Sequence, residues 1–365
     1  MKKTPLYDRH VSLGGKIVDF SGWGLPVYYT SILAEHQWTR SSCSFFDVSH
    51  LGEIAVSGEG AFEFLQKRLT CDVAKARKGE GIVYGILCNE QGNALDDILV
   101  YVGEAGDYHL VVNAANIKKD YDALKQYAPA SVKIEDYSDN MACIAIQGPK
   151  SEAILEKLFG LKLKDMRYYS FRAETLEGQR IWLSRSGYTG EDGFEIFSMN
   201  ELAGFVWDKL VGEGKALGAL PAGLGARNTL RLEAGNPLYG HELDEETTPV
   251  EAGLQFAVSF TKGDFIGRAR LLEQKEKGIQ KHLIGFKMTD RSIPRDGYAV
   301  LKDGMQVGRV TSGSFAPTVG GGIGMAFVAS GSETAGTKLG IEIHGRVAEA
   351  EVVPRPFVAL RHRKG

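Results

Sequence analysis

Two stretches of this chain gather more polar, charged and ring side chains than their local structure needs. Ser184 to Phe197, SRSGYTGEDGFEIF, sets two strand-like runs around a turn holding three glycines. Arg185, Tyr188, Glu191, Asp192 and Glu195 crowd into it, more donors, acceptors and rings than a simple chain reversal requires. If the flanks are strands, Glu195 lies on the face opposite Phe194 and Ile196, free to look into a cleft while those two pack. The second stretch is Cys88 to Val102, CNEQGNALDDILVYV. Its strand half alternates Leu95, Asp97, Leu99 and Tyr101 on one face with Asp96, Ile98, Val100 and Val102 on the other. Both faces are apolar apart from one carboxylate each, the pattern of a strand covered on both sides. At least one of the two aspartates is then expected to be desolvated, which raises its pKa or demands a cation. The competing reading leaves both at the open end of the strand, in water or capping a turn.

Further candidates flank these. In LVVNAANI, Leu110 to Ile117, Asn113 ends a strand and opens a helix, where its amide either faces a cleft or caps the helix. GLGARNTLRLEAG, Gly223 to Gly235, reads as a helix placing Arg227 and Arg231 on one face, one turn apart, as surface charges or as a ligand clamp.

Several chemistries are excluded or disfavoured. There is no GxxxxGK[ST] string and no G-x-S-x-G elbow, and neither Gly212 to Gly218 nor Gly320 to Gly324 has the strand–turn–helix setting of a dinucleotide loop. Cys43, Cys71, Cys88 and Cys143 are widely spaced with no CxxC pair, and the histidines are scattered, so buried free thiols are expected and no metal. A formal net charge of -3 offers no field for nucleic acid or an anionic membrane. The N-terminus leads into charged sequence without an apolar segment, and no apolar run reaches bilayer length, so a cytoplasmic location is expected.

The elements that must position these residues are mixed. At 365 residues, 43% hydrophobic and 24% charged, the chain is long enough for two or three domains. Helices are predicted at Ala61 to Leu69, Ala115 to Tyr127, Pro149 to Phe159 with Pro149 near its first position, from an Asn200 N-cap onward, and from about Gly267 to Lys277. Strands are predicted at Ile54 to Ser57, Ile98 to Val102 and His109 to Val112. After Gly278 helix signals nearly vanish and alternating β-formers dominate: His282 to Phe286, Tyr298 to Leu301, an Asp303-Gly304 turn, Val307 to Thr311, and the Lys338 to Val353 region. A boundary near residue 278, followed by a small β-barrel or sandwich, is expected. Upstream the chain reads as α+β in two intertwined units, roughly 1–50 with 139–278, and 51–138.

Long motifs then carry a resemblance. FDVSHLGE (Phe46 to Glu53), CNEQGNALDDILVY, LVVNAANI, QGP (Gln147 to Pro149), RSGYTGEDGFE, PAGLGARNTLRLEAG, GHELDEETTP and TSGSFAPT (Thr311 to Thr318) resemble, in order, the T-proteins of the glycine cleavage system. With SGWGLPVYY (Ser21 to Tyr29) and the RPF near Phe357 they cover essentially the whole chain. The resemblance implies an α+β fold of three domains around a central cavity, the last a β-barrel. It implies transfer of the aminomethyl carbon from the lipoyl arm of H-protein to tetrahydrofolate, a co-substrate, giving 5,10-methylenetetrahydrofolate, ammonia and dihydrolipoyl protein, with no metal, flavin or nicotinamide. In that chemistry nitrogen's lone pair expels the thiolate, folate N5 attacks the carbon, and a proton must leave N10, so a fixed carboxylate beside those atoms stabilises developing positive charge. By resemblance that carboxylate is Asp97, with Asp96 structural, and the pterin contacts are Tyr84, Asn113, Tyr188, Glu195 and Arg227.

Leu51 stands where many relatives have methionine, and Cys71 where they often have asparagine. Arg361, His362, Arg363 and Lys364 form a basic tail that meets the folate glutamate chain or H-protein, or is merely solvated. Three other classes share the fold. A sarcosine or dimethylglycine dehydrogenase would need an attached dinucleotide domain. A non-enzymatic folate-binding iron–sulfur assembly factor would need a cysteine in the stretch Thr261 to Gly267, TKGDFIG. A tetrahydrofolate-dependent demethylase would keep the folate site and change only the donor.

Overall fold

The computed structural model describes residues 1–362. Upstream of the barrel an eleven-stranded sheet is the frame. One half runs Ala219–Pro221, Cys43–Asp47, Met141–Gln147, Gly193–Met199, Gln179–Arg185 and Ser170–Leu176; the other runs Gly81–Cys88, Ala94–Val102, Tyr108–Val112, Gly52–Gly58 and Val132–Asp136. The halves meet at a short joint where Ser170 lies opposite Gly81. Two further backbone bonds flank it, from Ile82 to the Tyr169 carbonyl at 3.2 Å and from Phe171 to the Glu80 carbonyl at 2.9 Å.

Each half buries its own face. Helix Ser151–Phe159 turns Ile154, Leu155 and Leu158 into one core with Phe194, Ile196 and Trp207, and Gly160 ends it with the left-handed φ of 69° that a side chain would resist. Helices Ala61–Arg68 and Ile117–Tyr127 close a second core over Ile54, Val56, Ile98, Val100 and Leu110. The predicted helix starts shift slightly: Pro149 precedes the helix that begins at Ser151, and Met199, not Asn200, is the N-cap of Asn200–Val211. No helix among the described residues is long and apolar enough to cross a membrane.

After helix Arg268–Lys277, six antiparallel strands from Lys281 to Val353 close into a barrel around Phe286, Val300, Val310, Ala326, Ile341 and Val352. The predicted Asp303-Gly304 turn is present, with φ of 51° and 78° at the two residues, the geometry that twists into a hairpin. The barrel is bolted to helix Leu224–Glu233 by buried polar contacts. Arg231, on that helix, pairs with Glu242 at 3.0 Å and donates to Ser312 on the barrel at 2.8 Å. All four cysteines are buried and free.

Candidate active site

The two sheet halves and the segment before the barrel surround a chamber of about 260 Å³. Asp97, Tyr84, Asn113, Tyr188, Glu195 and Arg227 all line it.

The strand register brings the aspartates there. Asp97 and Leu99 share the face that opens into the chamber, while Asp96 turns to the opposite, fully buried face. On one neighbouring strand Tyr84 lies opposite Leu99, diagonal to Asp97, and its hydroxyl donates to Asp97 Oδ2 at 3.0 Å. On the other, Leu99 pairs with Val111; two residues further along, Asp97 comes opposite Asn113. Asn113 is not the helix cap, a position held by Asn116. Its amide nitrogen has two hydrogens and uses both, donating to Asp97 Oδ1 and to Asp96 Oδ1 at 2.8 Å each. One amide therefore brackets both carboxylates.

Burial drives the Asp97 carboxyl from 3.8 up to about 7, helped by the neighbouring Asp96 and opposed by the bonds from Tyr84 and Asn113. A group poised near neutrality fits proton handling at physiological pH. Asp96 meets no cation among the described residues; it accepts from the Asn113 backbone at 2.9 Å and from Asn116 Nδ2 at 2.6 Å besides the shared amide.

Across the chamber, Gln179–Arg185 and Gly193–Met199 pair antiparallel as expected, with Ser184 opposite Glu195. Phe194 and Ile196 pack into the core and Glu195 faces the chamber, only 8% exposed. Burial raises its pKa, against the opposing bond from Ser186 and the charge of Arg227. The other polar residues of this loop are structural. Arg185 forks onto Asp192 and pairs with Glu152 at 2.8 Å, and Glu191 pairs with Arg40 at 3.0 Å. Tyr188 lies under the Arg227 guanidinium, 4.6 Å from carbon to ring centre, and its hydroxyl donates to the Pro237 carbonyl. Arg227 forms no ion pair among the described residues. The two arginines thus part company: Arg227 faces the chamber, Arg231 is an interdomain bolt.

Some residues lining or supporting the chamber carried no signal of their own. Gln147 is fully buried and holds the loop, donating to the Ser186 carbonyl at 3.0 Å and accepting from Thr189 at 2.8 Å. His50, within FDVSHLGE, is buried with Nδ1 unpartnered; burial and the Arg227 charge push it down to about 4, so it stays neutral. Tyr169 takes a left-handed φ of 61° at the joint between the sheet halves, a conformation costing of order 1 kcal/mol or more for a bulky residue. Phe256, 78% exposed, stacks on Tyr84 with centroids 5.9 Å apart. Their only sequence cue was membership of a long motif or of an ordinary loop.

Leu51 lines the chamber, and Cys71 is packed against Gly85 in a core. In the basic tail, Arg361 donates to the Arg40 carbonyl at 3.1 Å and lies 3.7 Å from Glu191, while His362 stacks on Tyr168 at the chamber wall; Arg363 and Lys364 lie outside the described residues. Lys262, in TKGDFIG, donates to the carbonyls of Gln66, Leu69 and Cys71, closing the end of helix Ala61–Arg68. No cluster of metal-ligating side chains occurs among the described residues.

Comparison with known proteins agrees with this architecture. Residues 6–262 match the GCVT N-terminal domain, and residues 281–359 match the glycine cleavage T-protein C-terminal barrel domain. Aminomethyltransferases from Halothermothrix orenii and Bacillus subtilis are 46% and 43% identical to it; each alignment covers 98% of this chain, with 100% and 99% of the relatives' lengths. The crystal structure of the glycine cleavage system aminomethyltransferase T from Bartonella henselae is similar with a TM-score of 0.94 at 34% identity, over 100% of this chain and 99% of that one. The α+β body and closed barrel are those of a transferase. More narrowly, the chain belongs to the glycine cleavage T-protein family, and aminomethyl transfer is its activity.

Proposed function

We propose that the chamber binds tetrahydrofolate as co-substrate, that the carbon arrives on the lipoyl arm of H-protein, and that Asp97 is the catalytic carboxylate. The carrying observation is the convergence of Asp97, Tyr84 and Asn113 from one sheet half with Tyr188, Glu195 and Arg227 from beyond it on a single chamber. A pterin is flat and rich in N–H donors. Glu195 offers it two acceptor oxygens at a site where burial strengthens hydrogen bonding, and Tyr188 offers a ring face stiffened by Arg227. The guanidinium of Arg227, stacked on Tyr188 but in no ion pair among the described residues, suits a carbonyl or carboxylate oxygen of the same ligand.

Asp97 acts where charge develops. As an anion it stabilises the cationic carbon and nitrogen that arise while the aminomethyl group changes hands, and near neutrality it can take up the proton that the closing ring releases. Tyr84 and Asn113 hold both of its oxygens, so little reorganisation accompanies the step. We propose the domain division at residue 278, with 1–50 and 139–278 forming one upstream unit and 51–138 the other. This division follows the two sheet halves and the start of the barrel at Lys281.

The test is reconstitution. Purified protein with aminomethylated H-protein and tetrahydrofolate should yield methylenetetrahydrofolate and ammonia. Asp97→Asn should lose most turnover, on the order of 100-fold or more, while still binding folate. Full turnover in Asp97→Asn would overturn the assignment.

A further inference from the structure

Behind Asp97, on the face away from the chamber, a third carboxyl is buried without an obvious reason. Asp120 sits in the first turn of helix Ile117–Tyr127, with no exposed surface. Neither of its carboxyl oxygens receives a hydrogen bond from any described donor. The adjacent Lys119 donates to the Tyr239 hydroxyl at 2.7 Å and to Glu245 at 2.9 Å, so its charge favours the Asp120 anion only from a distance and is outweighed. The helix packs on the strand that carries Asp96, and the Asp96 carboxyl lies within hydrogen-bonding reach of Asp120.

Two buried carboxylates in contact, both ionised, would repel at short range in a medium of low polarity. One proton between them turns the repulsion into a hydrogen bond. The donor pattern decides where that proton resides. Asp96 already accepts three N–H groups, two on Oδ1 and one on Oδ2, the surroundings of an anion. Asp120 accepts none, the surroundings of a neutral acid. Burial and the Asp96 charge act in the same sense, raising the Asp120 pKa to about 11.

We propose that Asp120 is a positioning residue, held as the neutral acid, whose hydrogen bond fixes Asp96 as the anion that in turn orients Asp97 through the shared Asn113 amide and governs when Asp97 gives up its proton. The inference deepens the proposed role of Asp97 and rests on it. The mechanical link is short. Asn113 Nδ2 spans the two aspartates with its two hydrogens, so a shift of Asp96 must rotate the amide that holds Asp97. The electrostatic link is shorter still, because the residues are adjacent and the Asp96 charge opposes ionisation of Asp97. The phenols of Tyr84, Tyr169 and Tyr188 also face Asp97 and are neutral throughout the working range, and the charged groups Glu195 and Arg227 stand across the chamber from it.

Two measurements separate this arrangement from a merely structural one. The first is the infrared spectrum of the full chain at about pH 9, where ordinary carboxyls are ionised. A carboxylic acid band is expected in the parent protein and should be absent in Asp120→Asn. This reads Asp120 alone and does not depend on the role of Asp97. The second is the pH dependence of kcat for aminomethyl transfer. Asp120→Leu, which removes the donor, should lower kcat about tenfold or more, and Asp120→Asn, which restores a neutral donor of the same shape, should recover it to within about threefold. Asp96→Asn should move the acidic limb down by about one pH unit, since the charge that opposes ionisation of Asp97 is gone.

The proposal is overturned if no acid band is present at about pH 9. It is equally overturned if Asp120→Asn shifts the acidic limb downward as Asp96→Asn does, because Asp120 would then have been charged. Should Asp120→Leu fail to fold, the Asn variant decides by these two readouts. Full activity in Asp97→Asn would remove the proposed catalytic role and the tuning of it, while the band would still report where the Asp120 proton lies.

Discussion

The Asp97→Asn variant should be more stable than the parent protein at neutral and alkaline pH, though it abolishes the proposed chemistry. The folded chain binds a proton at Asp97 more tightly than the unfolded chain does, because the carboxyl moves from 3.8 up to about 7 on burial beside Asp96. The sign follows from linkage: the stabilising effect of that proton is fully present below the unfolded value near 4, and it is lost as pH rises through 7. Above that point the fold carries a carboxylate whose ionisation it opposes. Three pH units correspond to roughly 4 kcal/mol at about 1.4 kcal/mol each. Asp97 borders the open chamber, where solvent screens part of its charge, so the expected gain for the neutral amide is about 1–3 kcal/mol. With its oxygen toward Asn113 the new amide still accepts from that residue, and its NH2 donates to the Tyr84 hydroxyl oxygen in place of the bond it replaces, so the bracket survives the change. Urea denaturation of both proteins should give matching stabilities at about pH 4 and a growing advantage for the variant between about pH 5 and 8. A difference that is flat with pH, or a variant less stable at about pH 8, would refute the account of Asp97 as a desolvated carboxylate.

Two other substitutions probe the opposite wall and the interdomain bolt. Glu195→Gln keeps the shape but removes the charge that the pterin donors are proposed to meet; folate affinity measured by calorimetry should fall about 10- to 100-fold, the scale of one charged hydrogen bond, and an unchanged affinity would place the pterin elsewhere. Arg231→Met strands the buried Glu242 carboxylate, which then keeps only its bonds from the Leu238 backbone and Thr311, and the expected loss is about 3–5 kcal/mol of stability on thermal or urea unfolding with folate affinity nearly intact.

What the sequence made legible was what a single strand or turn specifies by itself. The alternation in LDDILVYV predicted a strand covered on both sides with a carboxylate on each face; the Asp96 face is buried, while the Asp97 face is partly buried and lines the chamber. The same alternation turned Glu195 away from Phe194 and Ile196. The periodicity did not say which aspartate mattered; the family resemblance selected Asp97. Asn113 was ambiguous because a cap and a bracket look alike until the register of Tyr108–Val112 on Ala94–Val102 is known. Arg227 and Arg231, one turn apart, were indistinguishable because their separation depends on the barrel, which packs against only one of them. Asp120 read as an ordinary polar position in the first turn of an amphipathic helix, for the carboxyl it meets is 24 residues away in sequence on another element. Local periodicity reports faces; it does not report what lies across from them.

The joint at Ser170 and Gly81 has one further consequence. Most neighbouring strands of the large sheet are laced along several residues, but here the lacing is reduced to one opposed pair and two flanking bonds. Side chains from both sides of this joint line the chamber, with the strained Tyr169 beside it. An occupant that touches Asp97 on one side and Glu195 on the other therefore spans the weakest seam in the frame and serves as its keystone. Its binding energy is spent partly in holding the architecture together, so the two sheet halves should come apart at a lower temperature in the empty protein and melt as one unit once the chamber is filled.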